Sequence, residues 1–135
     1  MIYIGVDTGV HTGLAVWDSH DRQFLMVDTL PIHIALEVVT YYQKQTPDLL
    51  VIFEDARQRK WYTGDVSAKA QGAGSVKRDA KIWQDFLEDK GIRFQMVAPQ
   101  KGLSKWDAET FKHMTGWKAR TSNHARDAAL LVWGK

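Results

Sequence analysis

The sequence predicts an α/β domain: a mixed five-stranded sheet, built from an antiparallel meander plus parallel strands, with helices on both faces. Three observations lead there. Three short strand patterns, separated by polar turns, follow one another over residues 2–29. Helical and strand patterns then alternate. The fourth strand, Leu49 to Phe53, is a continuous apolar run, as a strand covered on both faces requires.

The elements follow in order. Residues 2–7 alternate, with Ile2, Ile4 and Val6 on one face and Tyr3, Gly5 and Asp7 on the other. Thr8-Gly9 and Gly13 mark a turn, and Leu14 to Trp17 reads as the second strand. Asp18 to Arg22 is a polar turn before a third strand, Phe24 to Thr29. Pro31 precedes a helix whose stripe is Ile34, Ala35, Val38, Val39 and Tyr42, broken at Pro47-Asp48. Residues 56–73 are the least regular stretch. From Ser75 a helix is expected with Val76, Ala80, Trp83 and Leu87 on its stripe, ending near Gly91; Ile92 to Ala98 is the fifth strand. Ser104-x-x-Asp107 resembles a capping box before a short helix closed by Gly116. Asn123 can cap the last helix, which carries His124, Asp127, Ala128 and Leu131 on one face. The order is β-β-β-α-β-α-β-α-α.

The 135 residues suit one domain, 1–135, with enough chain to bury a core. A hydrophobic content of 44% and a charged content of 25% are ordinary for a globular protein. With no cysteine, neither a disulfide framework nor a thiolate zinc site can exist, which fits the cytoplasm. The apolar runs fall far short of the roughly 18 residues of a membrane-spanning helix, and the first residues read as a strand rather than a signal peptide. The expectation is a cytoplasmic protein with no membrane partner. A net charge of +2 decides little, because acids gathered at a site would hide local basic patches in the total.

Four positions carry the chemistry. Asp7 and Glu54 each end an apolar strand, and His124 and Asp127 sit three apart at the start of the apolar C-terminal segment. Charge at the ends of buried strands is costly unless compensated. Two divalent cations would compensate several carboxylates at once, and oxygen ligands suit Mg²⁺ or Mn²⁺. Metal-assisted phosphodiester chemistry is the expectation. Each residue alone has a plainer reading. Asp7 could be a turn or cap aspartate before Thr8-Gly9, Glu54 the partner of a nearby cation, Asp127 a first-turn acid favoured by the helix dipole, and His124 a structural or outer residue. Asp55, next in the chain, falls on the opposite sheet face if the strand continues.

The segments Ile4-Gly5-Val6-Asp7-Thr8-Gly9, Ile52-Phe53-Glu54-Asp55 and His124-Ala125-Arg126-Asp127-Ala128-Ala129, in this order, resemble those of RuvC-type Holliday junction resolvases, and the element order resembles the ribonuclease H-like fold. The resemblance spans nearly the whole chain. It implies that Asp7, Glu54, His124 and Asp127 bind two divalent metals, Mg²⁺ or Mn²⁺. It also implies a homodimer that cuts two opposed strands of a four-way DNA junction. Asp7 would bridge both metals, Glu54 and Asp127 would each complete one coordination sphere, and His124 would be a nitrogen ligand or an outer proton acceptor. The chain is shorter than usual for that family, and its loop after Glu54 departs from the pattern.

That loop is basic and aromatic. Arg57, Arg59 and Lys60 could track phosphates while Trp61 or Tyr62 stacks on an unpaired base; the alternative is that both rings anchor the loop on the core. Lys77, Arg78 and Lys81 fall in the first two turns of the helix expected from Ser75. Cations there oppose the helix dipole, and a bound phosphate would offset that; the alternative is a solvated face paired with Asp79 and Asp85. Lys101 and Lys105 flank a turn near the expected DNA face, or a solvated loop. Three other functions compete: a ribonuclease acting on RNA, a non-cleaving junction-binding protein, and a nucleotide binder of the sugar-kinase or actin type. The last needs two such domains, and this chain has room for one.

Overall fold

A computed structural model describes residues 1–58, 66–99 and 106–135, and side chains over 66–73 and at 76 are not described. Five strands form one mixed sheet: β1 (Ile2–Asp7), β2 (His11–Asp18), β3 (Gln23–Pro31), β4 (Leu49–Glu54) and β5 (Phe94–Val97). Their spatial order is β3-β2-β1-β4-β5. β1, β2 and β3 form the expected antiparallel meander, and β4 runs parallel to both β1 and β5. The described helices are α1 (Ile32–Gln45), α2 (Val66–Asp89), α3 (Ala108–Thr115) and α4 (Asn123–Leu130), with a short 3-10 turn at Ala56–Gln58.

Alternation along the strands divides the core into two layers. Ile4, Val6, Leu14, Val16, Val51 and Phe53 face α1 and α2, meeting Ala35, Val39, Ala80, Trp83 and Leu87. Ala15, Trp17, Phe24, Val27 and Ile52 face α3 and α4, meeting Phe111, Ala125, Ala128, Ala129 and Val132. Asp7 and Glu54 alternate onto the α4 side. Asp55, just past β4, falls on the α2 side as expected. Among the described residues no helix is long and apolar enough to cross a membrane.

Three sequence expectations need correction. The stretch 56–73 is not irregular throughout, because α2 already begins at Val66. Lys77, Arg78 and Lys81 therefore lie in the middle of a 24-residue helix, not in its first turns. The dipole penalty, which is confined to the terminal turns, does not act on them. Second, α4 is capped by Ser122, whose hydroxyl accepts the Ala125 amide at 3.1 Å; Asn123 is already helical. Third, the cap of α3 is Asp107, which accepts the Thr110 amide at 2.7 Å, while Gly116 closes the helix as expected, in the left-handed conformation at φ 75°. Ser104 lies outside the described residues.

Candidate metal and nucleic-acid site

The carboxyl ends of β1 and β4 lie side by side. Val6 pairs with Phe53 in parallel register, so Asp7 and Glu54 are the next residues on adjacent strands and project to the same face. Both are partly exposed. α4 crosses that face unusually close to the sheet, and two glycines make this possible. A Cβ on Gly13 would stand 2.0 Å from the His124 carbonyl oxygen, and one on Gly5 would stand 2.1 Å from that of Ala128. Gly13 is the register partner of Asp7, so the first turn of α4 sits over the end of β1. Ser122 ties that turn to β3 through a short hydroxyl–hydroxyl contact with Thr29.

His124 and Asp7 meet there. Nδ1 of His124 lies 2.8 Å from Oδ2 of Asp7. An ionised carboxylate only accepts, so Nδ1 carries the proton and donates it to Asp7. On the neutral ring Nε2 is then the acceptor. The His124 side chain is 58% exposed and that of Asp7 26%, so the pair sits at the mouth of the site rather than in the core. Asp127, one turn along α4, is half-buried.

The donor set fits a hard divalent cation in kind: carboxylate oxygens from two strand ends and one helix, plus an imidazole nitrogen. In the arrangement seen, no three His, Asp or Glu side chains among the described residues gather as a metal cage. What the backbone brings together is Asp7 beside Glu54 across a strand pair, and Asp7 against His124 across the sheet–helix contact.

The next residues along the chain form a separate network. The Asp55 side chain is 5% exposed and accepts from Arg57 twice, at 3.0 Å from the amide and 2.7 Å from Nε, and from Gln58 Nε2 at 3.3 Å. Burial alone would push the Asp55 carboxyl up. The hydrogen bonds from Arg57 and Gln58 and the guanidinium charge outweigh burial and hold it below the usual carboxylate range. Arg57 reaches on to Gln84 Oε1 of α2 at 2.7 Å and to Met96 Sδ of β5 at 3.2 Å. Arg57, expected to track phosphates, thus bolts β4 to α2 and β5.

Of Lys77, Arg78 and Lys81 on α2, two pair within the chain. Lys81 bonds Asp85 one turn on at 2.8 Å, and Arg78 bonds Ser75 at 3.1 Å with Asp79 at 3.8 Å. Lys77 is exposed. These contacts match the solvated-face alternative. Arg59, Lys60, Trp61, Tyr62, Lys101 and Lys105 lie outside the described residues.

Sequence reasoning gave no role to Gly5 or Arg126, and it read Gly13 as a turn glycine, whereas Gly13 lies inside β2, where its missing side chain admits the first turn of α4. Arg126 is 7% exposed and fully employed. It donates to the Trp106 carbonyl at 3.0 Å, to the Thr121 carbonyl and hydroxyl at 2.8 and 2.9 Å, and to the Asn123 side chain. The available signal was its place beside Ala125, Ala128 and Ala129 on the apolar part of α4, where a long cation needs internal acceptors. No model of a known protein family matches the chain, and no curated protein matches it.

Proposed function

We propose that this chain is a ribonuclease H-like, RuvC-type nuclease, a metal-dependent and structure-selective endonuclease that resolves four-way DNA junctions by phosphodiester hydrolysis. One observation carries the reading: Asp7 and Glu54 directly follow the parallel pair Val6 and Phe53 at the ends of β1 and β4, and Asp7 lies 2.8 Å from His124 on α4. Three segments far apart in sequence supply the same acid and imidazole set that the family resemblance implies. The element order and the mixed five-stranded sheet agree with that resemblance.

Asp7, Glu54 and Asp127 would hold Mg²⁺ or Mn²⁺, two ions per site, with His124 as a further ligand or an outer group. Bound there, the ions supply positive charge beside the phosphodiester and acidify water. The chain's own residues do the rest. The Asp7 carboxylate orients the His124 ring through Nδ1, and in the outer role Nε2 would be left to take a proton from water. The closeness of α4 to Gly5 and Gly13 fixes the distance between strand acids and helix groups. A homodimer would bring two such sites to a two-fold junction.

The test compares a four-way DNA junction, linear duplex and an RNA–DNA hybrid, each with Mg²⁺ and with chelator. Selective, Mg²⁺-dependent junction cutting is expected. Preference for the hybrid would move the reading to a ribonuclease. Asp7→Asn should abolish cutting while keeping junction binding, since losing a negative charge does not repel DNA. Wild-type turnover by that variant would sink the site assignment.

A further inference from the structure

The described cations nearest the acids, or expected to meet DNA, are mostly engaged inside the chain: Arg57 by Asp55 and Gln84, Lys81 by Asp85, Arg78 by Ser75 and Asp79. A second group differs. Lys112, in the last turn of α3, and Lys118 and Arg120, in the connector to α4, are all exposed, and among the described residues none of them forms an ion pair. From Thr110 to Arg126 the sequence holds no Asp or Glu at all. These three side chains line one open groove of about 300 Å³ between α3 and the connector, beside Phe111 and Trp117 and with Glu109 the only acid among its described lining residues.

The frame beneath them is hydrogen-bonded. Gly116 closes α3, Thr115 accepts the Trp117 amide at 3.2 Å, and Arg126 holds Thr121 by both its carbonyl and its hydroxyl. Arg120 lies four residues before His124, and the connector runs directly into the first turn of α4. Like charges gathered on one surface repel one another and are best offset by a polyanion with repeating charge.

We infer that Lys112, Lys118 and Arg120 form a phosphate-binding surface that holds the backbone of a DNA duplex arm leading into the Asp7–His124 site. The identity of the polyanion rests on the nuclease reading; the unpaired cationic surface does not. Contacts of this kind position a duplex without reading its sequence.

The test is duplex DNA binding in chelator, measured across a salt series, for wild type and for the triple variant Lys112→Gln, Lys118→Gln, Arg120→Gln. A second triple, Lys44→Gln, Lys90→Gln, Arg93→Gln, removes equal charge at the far end of the sheet, where all three side chains are exposed. The salt slope should flatten by roughly 0.9 per lost phosphate contact, so by up to about 2.7, and affinity at 0.1 M salt should fall about tenfold or more. The far-end triple should keep the wild-type slope. Unchanged binding by the first triple, or an equal loss in both, overturns the inference. So does a loss confined to phosphatidylserine vesicles, which would reassign the surface to a membrane. If the first triple melts early, Lys118→Gln and Arg120→Gln singly should each flatten the slope by roughly 0.9, and unchanged slopes overturn the inference. Junction cutting by a wild type whose triple variant binds normally would remove this surface and leave the nuclease reading standing. A wild type that binds no DNA removes both.

Discussion

Gly13→Ala should move the helix that carries His124. The new Cβ would meet three backbone atoms: the His124 oxygen at 2.0 Å, its carbonyl carbon at 2.4 Å and the Ala125 nitrogen at 3.1 Å. Ordinary contact begins at 3.4 Å, so the gap must widen by 3.4 − 2.0 = 1.4 Å. Gly13 lies within β2, paired to Asp7 on one side and Thr29 on the other, so the strand is held and α4 must yield. Overpacking of this kind costs about 1–3 kcal/mol. Stiffening the unfolded chain returns only about 0.4–1 kcal/mol, so the clash wins. With mid-range values of about 2 and about 0.7 kcal/mol the net cost is about 1.3 kcal/mol, and at this chain length about 4 °C of melting temperature corresponds to each kcal/mol, so the expected drop is about 5 °C. A displacement near 1 Å can also cost on the order of 100-fold in rate. Thermal melting and single-turnover junction cutting measure both. Gly74→Ala is the control: it sits exposed in α2 with nothing within 4 Å of the added carbon, and should stabilise by about 0.5–1 kcal/mol. A Gly13→Ala protein that melts at or above the wild-type temperature would refute the argument that close approach of α4 to the sheet builds the site.

Asp55→Asn should destabilise the protein by about 1.5–3 kcal/mol at neutral pH, through weakened bonds to Arg57. Because the folded carboxyl titrates below its unfolded value of about 3.9, the stabilisation is complete above that value and is lost as pH falls through the folded one. Denaturant melts should therefore show wild type and variant converging at acid pH, and a gap that widens instead would contradict the pairing. Trp61→Ala with Tyr62→Ala should weaken junction binding more than duplex binding, because stacking contributes about 1–3 kcal/mol only where a base face is open. Gel shifts on both substrates decide it, and a double variant that unfolds would make the rings part of the core. Sedimentation of the active protein on junction DNA should report a dimer; a monomer nicking one strand would count against paired incision.

Element order was legible because strands and helices leave different periods. Alternation over residues 2–7 and the apolar run at 49–53 named the strands, and both acids fell at their ends. The start of α2 was missed for a local reason. Gly72 and Gly74 each lower helix propensity by about 1 kcal/mol relative to Ala, and they mask the helix formers Ala68, Ala70 and Ala73. The one-residue shift from Asn123 to Ser122 reflects two good caps side by side, a choice that tertiary contact with Thr29 helps decide. The pairing of Arg57 with Asp55 went unread because the charge was weighed without the carboxylate two residues earlier, a spacing at which a carboxylate organises the following turn. The roles of Gly5 and Gly13 depend on a helix more than 100 residues away, and no local pattern carries that.

Arg126 also bears on how this protein breathes. Its guanidinium cannot shed its charge, and it is satisfied at once by Trp106 before α3, by Thr121 after it and by Asn123 at the start of α4. Lifting any one of these segments would strip acceptors from a buried cation, a far larger loss than one backbone bond. Residues 106–126 are thereby tied into a single cooperative unit, whose amides should exchange with solvent at a shared free energy instead of fraying one by one. The groove cations and the imidazole that meets Asp7 should thus be present together or lost together, with partial opening leaving no form that keeps half of the face in place.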